Sequence, residues 1–227
     1  MYLYDNIIKL NTEQYQKLDA FKKLLSEYNN AFNLTSITDS NETDIKHFYD
    51  SLAGAEFFPE GAKVIEIGSG GGFPSIPLKI ARDDLDFTLT EATGKKCGFL
   101  ETVIKELGLK KIRVINERAE NLAKKEDFRE KFDCVTARAV AKLNTLSEYC
   151  IPFIKTGGLF IAYKGEAQTE IKEASNALKI LGGKLKEVYN YNLPEDMGVR
   201  SLIITEKISS TDKKYPRGQG KERSKPL

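Results

Sequence analysis

The amino-acid sequence predicts an α/β fold in which a mostly parallel, doubly wound sheet carries helices on both faces. Between residues 59 and 208, short apolar runs alternate with longer stretches whose apolar residues recur at helical spacing. The last two apolar runs, around 184–191 and 201–208, have no helical stretch between them. Because a parallel connection needs a crossover, this final strand pair is expected to be antiparallel. The prediction is therefore a seven-stranded sheet with an antiparallel edge.

Residues 1–58 are expected to form a helical extension that packs on this core. Apolar residues between Tyr15 and Tyr28 follow helical spacing, and a second helical stretch covers about 42–57. The single histidine of the sequence, His47, lies in this second stretch. An imidazole without partner residues nearby in the sequence is more often structural than catalytic, so a buried hydrogen-bonding role is the first expectation for His47.

The core elements follow in order over 59–208, and a basic tail completes the chain over 209–227. The predicted strands cover 64–67, 87–90, 112–115, 132–137, 159–163, 184–191 and 201–208. The predicted helices cover 95–107, about 142–154 and 166–181. Gly108 is expected to close the first of these helices. The pair Gly157-Gly158 is expected to form the turn before the fifth strand.

Composition limits the possible classes of function. The three cysteines lie far apart without a C-x-x-C pair, which argues against a disulfide framework and against a zinc site. No apolar run approaches the roughly 20 residues of a membrane span, and the N-terminus lacks the form of a signal peptide. A cytoplasmic protein with no membrane partner and no metal is expected. The net charge of +2 is uneven, because residues 213–227 carry +5 and the remainder −3.

The turn at 68–74 is the most informative motif. It follows a short apolar run that contains Glu66, and it reads Gly-Ser-Gly-Gly-Gly-Phe-Pro. A dinucleotide fingerprint would need a third glycine at position 73, which is Phe73, and no Gly-Lys-Ser/Thr phosphate loop is present. The remaining pattern, acidic-x-G-x-G-x-G over Gly68, Gly70 and Gly72, is typical of S-adenosylmethionine (SAM) sites. A tight turn without a ligand is the alternative.

Ligands of such sheets lie beyond the carboxyl ends of the strands, which selects further candidates. Glu91 follows the second strand about twenty residues after the glycines, where a carboxylate can accept both ribose hydroxyls of an adenosine. Ala119 and Glu120 follow the third strand and are placed to meet an adenine edge. The competing interpretations are a solvated carboxylate at Glu91 and a loop ion pair of Arg118 with Glu117 or Glu120.

The residues after the fourth strand bear on the chemistry. An Asn/Asp-Pro-Pro-aromatic motif, typical of enzymes that methylate exocyclic amines, is absent there, and so is a cysteine beside a proline. Cys134 is expected to be a buried small side chain. Arg138 suits a site for phosphate or guanine O6, and Lys164 adds a second cation at the same rim. A surface position is the alternative for both cations.

Several motifs in order resemble one family over nearly the whole chain. They are Asn33-Leu34-Thr35, His47-Phe48-x-Asp50-Ser51-Leu52, Gly68-x-Gly70-x-Gly72-Phe73-Pro74, Arg118-Ala119-Glu120, the run over 135–141, Tyr163-Lys164-Gly165, Lys214-Tyr215-Pro216-Arg217 and Lys225-Pro226-Leu227. The chain resembles the bacterial small-subunit ribosomal RNA methyltransferase G family, also called glucose-inhibited division protein B. The resemblance implies a class I SAM-dependent methyltransferase fold and methylation of N7 of one guanine in 16S rRNA.

The resemblance also implies residue roles. The implied cofactor contacts, together with the glycines of the motif, are Gly68, Gly70, Gly72, Phe73, Glu91, Ala92, Thr93, Ala119, Glu120 and Arg138. The family commonly has Asp where this chain has Glu91. Arg138 is expected to position the substrate without a general base, because guanine N7 is unprotonated at neutral pH.

The expected partners are 16S rRNA and the small ribosomal subunit, bound by a monomer. The predicted RNA-binding residues are Lys164, Lys213, Lys214, Arg217, Lys221, Arg223 and Lys225. A solubilising disordered end is the alternative for the tail. A small-molecule SAM methyltransferase and a non-catalytic SAM- or RNA-binding module are the alternative functions.

Overall fold

The computed structural model describes residues 3–227, so residues 1–2 of the predicted N-terminal extension lie outside the described residues. The strands within this range are β1 (Lys63–Ile67), β2 (Asp86–Glu91), β3 (Ile112–Asn116), β4 (Phe132–Arg138), β5 (Ile154–Lys164), β6 (Gly183–Asn192) and β7 (Val199–Lys207). They form one sheet in the order β3-β2-β1-β4-β5-β7-β6. The first five strands run parallel, whereas β7 is antiparallel to both of its neighbours. The predicted fold, including the antiparallel edge, is confirmed.

Helices pack on the sheet, and other helices form the N-terminal extension. They are α1 (Thr12–Phe32), α2 (Ser40–Thr43), α3 (Asp50–Leu52), α4 (Ser75–Ala81), α5 (Gly94–Glu106), α6 (Ala119–Leu122), α7 (Leu143–Cys150), α8 (Gln168–Leu181) and α9 (Lys221–Ser224). A capping box between Asn11 and Gln14 begins α1, since each side chain accepts from the backbone amide of the other residue. No helix between residues 3 and 227 combines the length and apolar character needed to cross a bilayer.

The second helical stretch differs from the regular helix predicted over about 42–57. A π-helix over Asp44–Tyr49 joins α2 to α3, and a 3₁₀ turn over Ala55–Phe57 follows. Within this π-helix the carbonyl oxygen of Lys46 accepts a hydrogen bond from Arg138 at 3.0 Å. Short π segments are frequent at functional sites.

The fifth strand also differs from its prediction, because it begins at Ile154 and contains the pair Gly157-Gly158. A Cβ atom at Gly158 would lie only 2.5 Å from the carbonyl oxygen of Asp133. Glycine therefore allows β5 to approach β4 closely beside a register shift between Phe132 and Cys134. Gly158 thus serves strand packing. Gly157 has open space around a Cβ atom, and its φ of +86° is the feature that favours glycine there. Both glycines lie within the strand, and not in a turn before it as predicted.

Apolar side chains pack on both faces of the sheet. Val64 of β1 belongs to the face that α1 covers through Phe21, whereas Ile65 belongs to the opposite face with α7 and α8. Cys134 is fully buried, as predicted.

The basic segment over 209–227 folds against this second face. Thr211 and Tyr215 are buried, and the Arg129 guanidinium donates to the carbonyl oxygens of both residues at 2.8 Å. The α9 helix packs on α7, where the Thr145 hydroxyl donates to the carbonyl oxygen of Glu222 at 2.8 Å. The segment is thus an ordered part of the fold.

Candidate active site

The glycine turn after β1 leads the chain from the sheet into α4. Gly68, Gly70 and Gly72 have φ angles of +71°, +52° and +90°, in the left-handed region that favours glycine. Space is a second requirement at Gly72, where a Cβ atom would lie 2.7 Å from Cγ1 of Ile76. The Gly68 amide donates to the carbonyl oxygen of Thr90 at 2.9 Å, which ties the turn to β2. Glycine is therefore required at these three positions of the turn, whereas Gly71 has no positive φ.

Glu91 ends β2 directly beside this turn. Its Oε2 accepts from the amide of Gly70 at 3.0 Å, and its Oε1 accepts from the amide of Thr93 at 2.8 Å. A carboxylate oxygen has two acceptor positions, so each oxygen keeps one position for a further donor. Glu91 therefore orders the glycine turn and can still accept hydroxyl donors from a ligand.

A first cleft of about 290 Å³ opens at the carboxyl ends of β1, β2 and β3. Its lining comes from four loops, from α7 and from the C-terminal segment: Ile67, Gly68, Thr90, Glu91, Ala92, Glu117, Arg118, Ala119, Glu120, Val140, Tyr149, Gly220 and Arg223. The predicted cofactor residues in this set are Gly68, Glu91, Ala92, Ala119 and Glu120. A Cβ atom at Gly68 would lie 2.8 Å from Cγ2 of Val140, so glycine keeps this corner of the cleft open.

The residues of the first cleft fit SAM. Glu91 offers acceptors for ribose hydroxyls, and Glu120 offers a carboxylate that is 18% exposed. Ala119 and Val140 add small apolar surfaces suited to the face of a base. The Glu120 carboxylate lies 3.9 Å from the Arg118 guanidinium, so the loop ion pair that competed with the adenine role is present but loose.

The other predicted cofactor residues do not line the first cleft. The amides of Gly70 and Thr93 donate hydrogen bonds to the Glu91 carboxylate, so these two residues shape the cleft indirectly. Gly72 packs against the core. Phe73 and Arg138 lie on the side of the glycine turn that faces the N-terminal helices.

Phe73 is a buried ring between the glycine turn and the N-terminal extension. Its centroid lies 4.4 Å from that of His47, with the rings stacked, and 5.2 Å from that of Phe21. The ring of Phe48 lies 5.7 Å away. The N-terminal helices thus fix the turn through this aromatic cluster.

Arg138, the last residue of β4, is held by three groups of the N-terminal extension. Its Nη1 donates to the Asp50 carboxylate at 2.8 Å and to the Lys46 carbonyl oxygen at 3.0 Å. Its Nη2 contacts Nδ1 of His47 at 2.8 Å, and the guanidinium lies over the Phe73 ring at 5.1 Å from the centroid. Arg138 therefore has a fixed position, as a positioning residue requires.

The protonation of His47 follows from these contacts. A guanidinium can only donate, so Nδ1 of His47 accepts and the ring proton lies on Nε2. Nε2 then donates to the Thr35 hydroxyl at 2.7 Å. Burial first, and the positive charge of Arg138 second, lower the pKa of His47 to about 3. The buried hydrogen-bonding role predicted for His47 is confirmed.

A second cleft, also of about 290 Å³, lies beside Arg138. It is lined by Ile37, Lys46, His47, Asp50, Arg138, Ala139, Tyr163, Lys164, Gly165 and Arg200. Arg138 and Ala139 line this cleft, and the next residue, Val140, lines the first. Both clefts therefore border the segment at the end of β4, from opposite sides of three consecutive residues.

Sequence reasoning gave no role to several residues of the second cleft. The Asp50 carboxylate accepts from Tyr191 at 2.6 Å and lies 3.7 Å from the guanidinium of Arg200. The sequence motif that contains His47 and Asp50 marked both residues, but it did not indicate that Arg138 is their partner. Nothing in the local sequence marks Tyr191 or Arg200.

The predicted RNA-binding cations divide into two groups. Lys164 donates to the Ala141 carbonyl oxygen and pairs with Glu170 at 2.7 Å. Arg217 forms a two-pronged contact with the buried Glu148 carboxylate. The exposed cations are Lys213, Lys214, Lys221, Arg223 and Lys225. Lys214 pairs with Asp212 at 3.2 Å, and Arg223 lines the first cleft.

Glu66 is a buried carboxyl group beneath the glycine turn. Neither of its oxygens has a hydrogen-bond partner in the described part of the chain. Burial raises the pKa of Glu66 to about 7, while the nearby Ser69 and Ser75 hydroxyls oppose the shift without forming bonds of normal geometry. Among residues 3–227, no group of three or more His, Cys, Asp or Glu side chains could hold a metal ion.

Solved structures share this fold. M. jannaschii TYW2 in complex with AdoMet superposes with a TM-score of 0.58 at 18% identity, covering 76% of this chain and 80% of that chain. A SAM-dependent methyltransferase from Aquifex aeolicus gives a TM-score of 0.55 at 16% identity, covering 77% and 97%. These similarities confirm the class I methyltransferase fold.

Sequence comparisons are more specific. The family described as GidB, rRNA small subunit methyltransferase G, matches residues 14–197. The ribosomal RNA small subunit methyltransferase G of Brevibacillus brevis is 47% identical, over 97% of this chain and 94% of its own length. The protein of the same name from Limosilactobacillus reuteri is 45% identical, over 99% and 96%. Because these matches span nearly the whole chain, the protein belongs to the rRNA small subunit methyltransferase G (GidB) family.

Proposed function

We propose that this protein is a 16S rRNA (guanine-N7)-methyltransferase, which transfers a methyl group from SAM to one guanine of the small ribosomal subunit. Family membership supports the proposal. The observation that carries it in this chain is that three consecutive residues at the end of β4 border both clefts, Arg138 and Ala139 the second and Val140 the first. A guanine in the second cleft would face the methyl group of a cofactor in the first.

The first cleft is the proposed cofactor site. Bound SAM supplies a methyl group on a positively charged sulfur. Glu91 is proposed to accept the ribose hydroxyls, and Ala119 with Glu120 to border the adenine. Gly68 and Ala92 complete the binding residues. Gly70, Gly72, Phe73 and Thr93 are proposed to act indirectly, by shaping the turn and orienting Glu91.

The second cleft is the proposed site of the target guanine. The N7 lone pair attacks the methyl carbon as the carbon–sulfur bond breaks, and no proton has to be removed. A general base is therefore unnecessary, in agreement with the use of the His47 Nδ1 lone pair by Arg138. Arg138 is proposed to position the base through its O6 or a phosphate. Positioning of this kind can supply on the order of 7–11 kcal/mol.

RNA affinity is proposed to come from the cations around the clefts. The exposed lysines of the C-terminal segment would neutralise phosphates, whereas Lys164 and Arg217, which are tied to carboxylates, would hold their segments in place. The target base has to leave its stack, which is easiest in a single-stranded or immature region. We further propose that the protein acts as a monomer on 16S rRNA in the cytoplasm.

Methyl transfer with radiolabelled SAM tests the proposal. Small subunits, and their naked 16S rRNA, are taken from a strain that lacks the gene. Label is expected in 16S rRNA, and chain cleavage at N7-methylguanine is expected to locate it at one position. Arg138→Gln should abolish labelling, whereas Lys184→Gln on the distant strand β6 should not change it. Absence of label from RNA under every salt condition and assembly state would overturn the proposal.

A further inference from the structure

The C-terminal segment is attached to the core at the edge of the first cleft. The Glu148 carboxylate is fully buried in α7 and accepts from the Arg217 backbone amide at 2.8 Å and from the Arg217 guanidinium at 2.7 Å. The Arg217 guanidinium also donates to the carbonyl oxygen of Lys225 at 2.8 Å. The turn at Gly218 is closed by a hydrogen bond from its amide to Glu222. These contacts fix residues 217–225 relative to α7.

This attachment places two residues of the segment in the wall of the first cleft. Gly220 and Arg223 line the cleft together with Glu91, Ala119 and Glu120. Glu222, between them, turns into the core and is fully buried. Arg223 is exposed on the cleft side, next to the Tyr149 hydroxyl of α7.

The charge of the first cleft makes a cation at Arg223 chemically significant. The side chains that contribute charge around the cleft are Glu91, Glu117, Glu120, Arg118 and Arg223. Arg118 is 69% exposed and leans toward Glu120. Among residues 3–227, no carboxylate forms an ion pair with the Arg223 guanidinium, which is therefore available to a ligand in the cleft. A planar guanidinium stacks on aromatic faces and donates to ring nitrogens.

We propose that Arg223 is a cofactor-binding residue and that residues 218–224 form the outer wall of the adenosine site. The Arg223 guanidinium would lie against the adenine, opposite the loop of Ala119 and Glu120. This assignment replaces the RNA-binding role that the sequence pattern suggested for Arg223. The assignment depends on the proposed function only in taking SAM as the cofactor. It does not depend on the transfer of a methyl group to RNA.

Calorimetric titration with adenosine ligands tests the assignment without RNA. The ligands are S-adenosylhomocysteine and 5′-methylthioadenosine, which lacks the amino-acid tail. Arg223→Ala is expected to weaken both ligands by the same factor, roughly threefold to thirtyfold, because the lost contact is to the shared adenosine. Arg223→Lys should recover only part of the affinity, since a lysine cannot stack as a plane. Lys213→Ala, an exposed cation outside the cleft, should change neither affinity.

A second variant tests the attachment of the segment. Arg217→Ala leaves Arg223 in place but releases the wall from Glu148, and it is expected to weaken both adenosine ligands as well. Thermal unfolding of each variant without ligand separates a loss of binding from a loss of folding. Equal ligand affinity of wild type and Arg223→Ala, with both proteins folded, would overturn the proposal. A wild type that binds these ligands but does not methylate RNA would contradict only the proposed function.

Discussion

At the scale of single residues, the position of Arg138 depends on a carboxylate 88 residues earlier in the chain. Asp50 is 5% exposed at its side chain, and it accepts from Arg138 and from Tyr191. The pair joins the N-terminal extension to the end of β4, which borders both clefts. Any change in Asp50 should therefore affect the target site more than the cofactor site.

Asp50→Asn is expected to lower methylation of RNA by about 100-fold, the cost of a misplaced positioning residue, while leaving the affinity for S-adenosylhomocysteine unchanged. The buried guanidinium loses its counter-charge, which also costs on the order of 3 kcal/mol of folding free energy. Initial rates and urea denaturation measure the two effects. Tyr191→Phe is the matched control, because it removes a hydrogen bond to Asp50 and keeps the ion pair. Equal losses of methylation in the two variants would contradict the role of the ion pair.

Glu66 makes folding stability depend on pH. The pKa of Glu66 is about 7 in the fold, against about 4.3 in an unfolded chain. The folded protein thus keeps a proton that the unfolded chain releases, and stability falls as the pH rises from about 4.5 to 7. By pH 8 the free energy of unfolding has fallen by on the order of 3 kcal/mol.

Glu66→Gln is expected to become more stable relative to wild type as the pH rises from 5 to 8, because the amide stays neutral. Urea denaturation of both proteins at pH 5 and at pH 8 measures how the difference in their free energies of unfolding changes with pH. The low pKa of His47 destabilises the fold at acid pH, but it does so in both proteins and cancels in the comparison. A stability difference that does not vary with pH would show that Glu66 ionises normally.

At the scale of elements, two glycines have opposite requirements, one in the turn after β1 and one within α5. Gly72 in the turn has a φ of +90° and no space for a Cβ atom. Gly98 is exposed within α5, and a Cβ atom there would meet nothing within 4 Å. A helix interior disfavours glycine relative to alanine.

Gly98→Ala is therefore expected to stabilise the protein by about 0.5–1 kcal/mol without a change in methylation. Gly72→Ala is expected to destabilise it by about 2–4 kcal/mol, through the positive φ and the contact with Ile76. Denaturation midpoints in urea measure both effects. Destabilisation by both substitutions would contradict the free space at Gly98.

The elements also show how far the sequence predicts this fold. The spacing of apolar residues predicted the succession of strands along the chain, and the glycine pattern predicted the turn, because both depend on local sequence. It misplaced the start of β5, because Gly157-Gly158 has the composition of a turn, and the close approach of the Asp133 carbonyl oxygen to Gly158 from a neighbouring strand cannot be read from local spacing. Residues that belong to the site through long-range contacts with Asp50, namely Tyr191 and Arg200, leave no mark in local spacing.

At the scale of the whole molecule, the same limit applies to the C-terminal segment. Its basic composition is typical of a solvated end, and the composition contains no sign of the buried Glu148 that receives Arg217. Deletion of 213–227 would therefore expose a buried carboxylate, and the activity of such a truncated protein would not report on RNA binding alone.

The uneven charge of the molecule instead gives a test that keeps the fold intact. Residues 213–227 carry +5, and the rest of the chain carries −3. If the exposed lysines of the segment contact phosphates, they release counterions from the RNA on binding. Each lost contact should then reduce the slope of log K against log salt concentration by about 0.7–0.9.

The variant with Lys213, Lys214, Lys221 and Lys225 changed to Gln is expected to bind 16S rRNA with a slope smaller by about 3, because four phosphate contacts are removed. Filter binding over a series of salt concentrations measures the slope. The matched control changes Lys172, Lys179, Lys184 and Lys186, which are exposed on α8 and β6 and line neither the first nor the second cleft. Both variants lose the same net charge, so a general effect of charge would lower both slopes equally. A selective loss in the first variant would place the RNA along the C-terminal segment, and equal slopes in the two variants would remove that segment from the RNA interface.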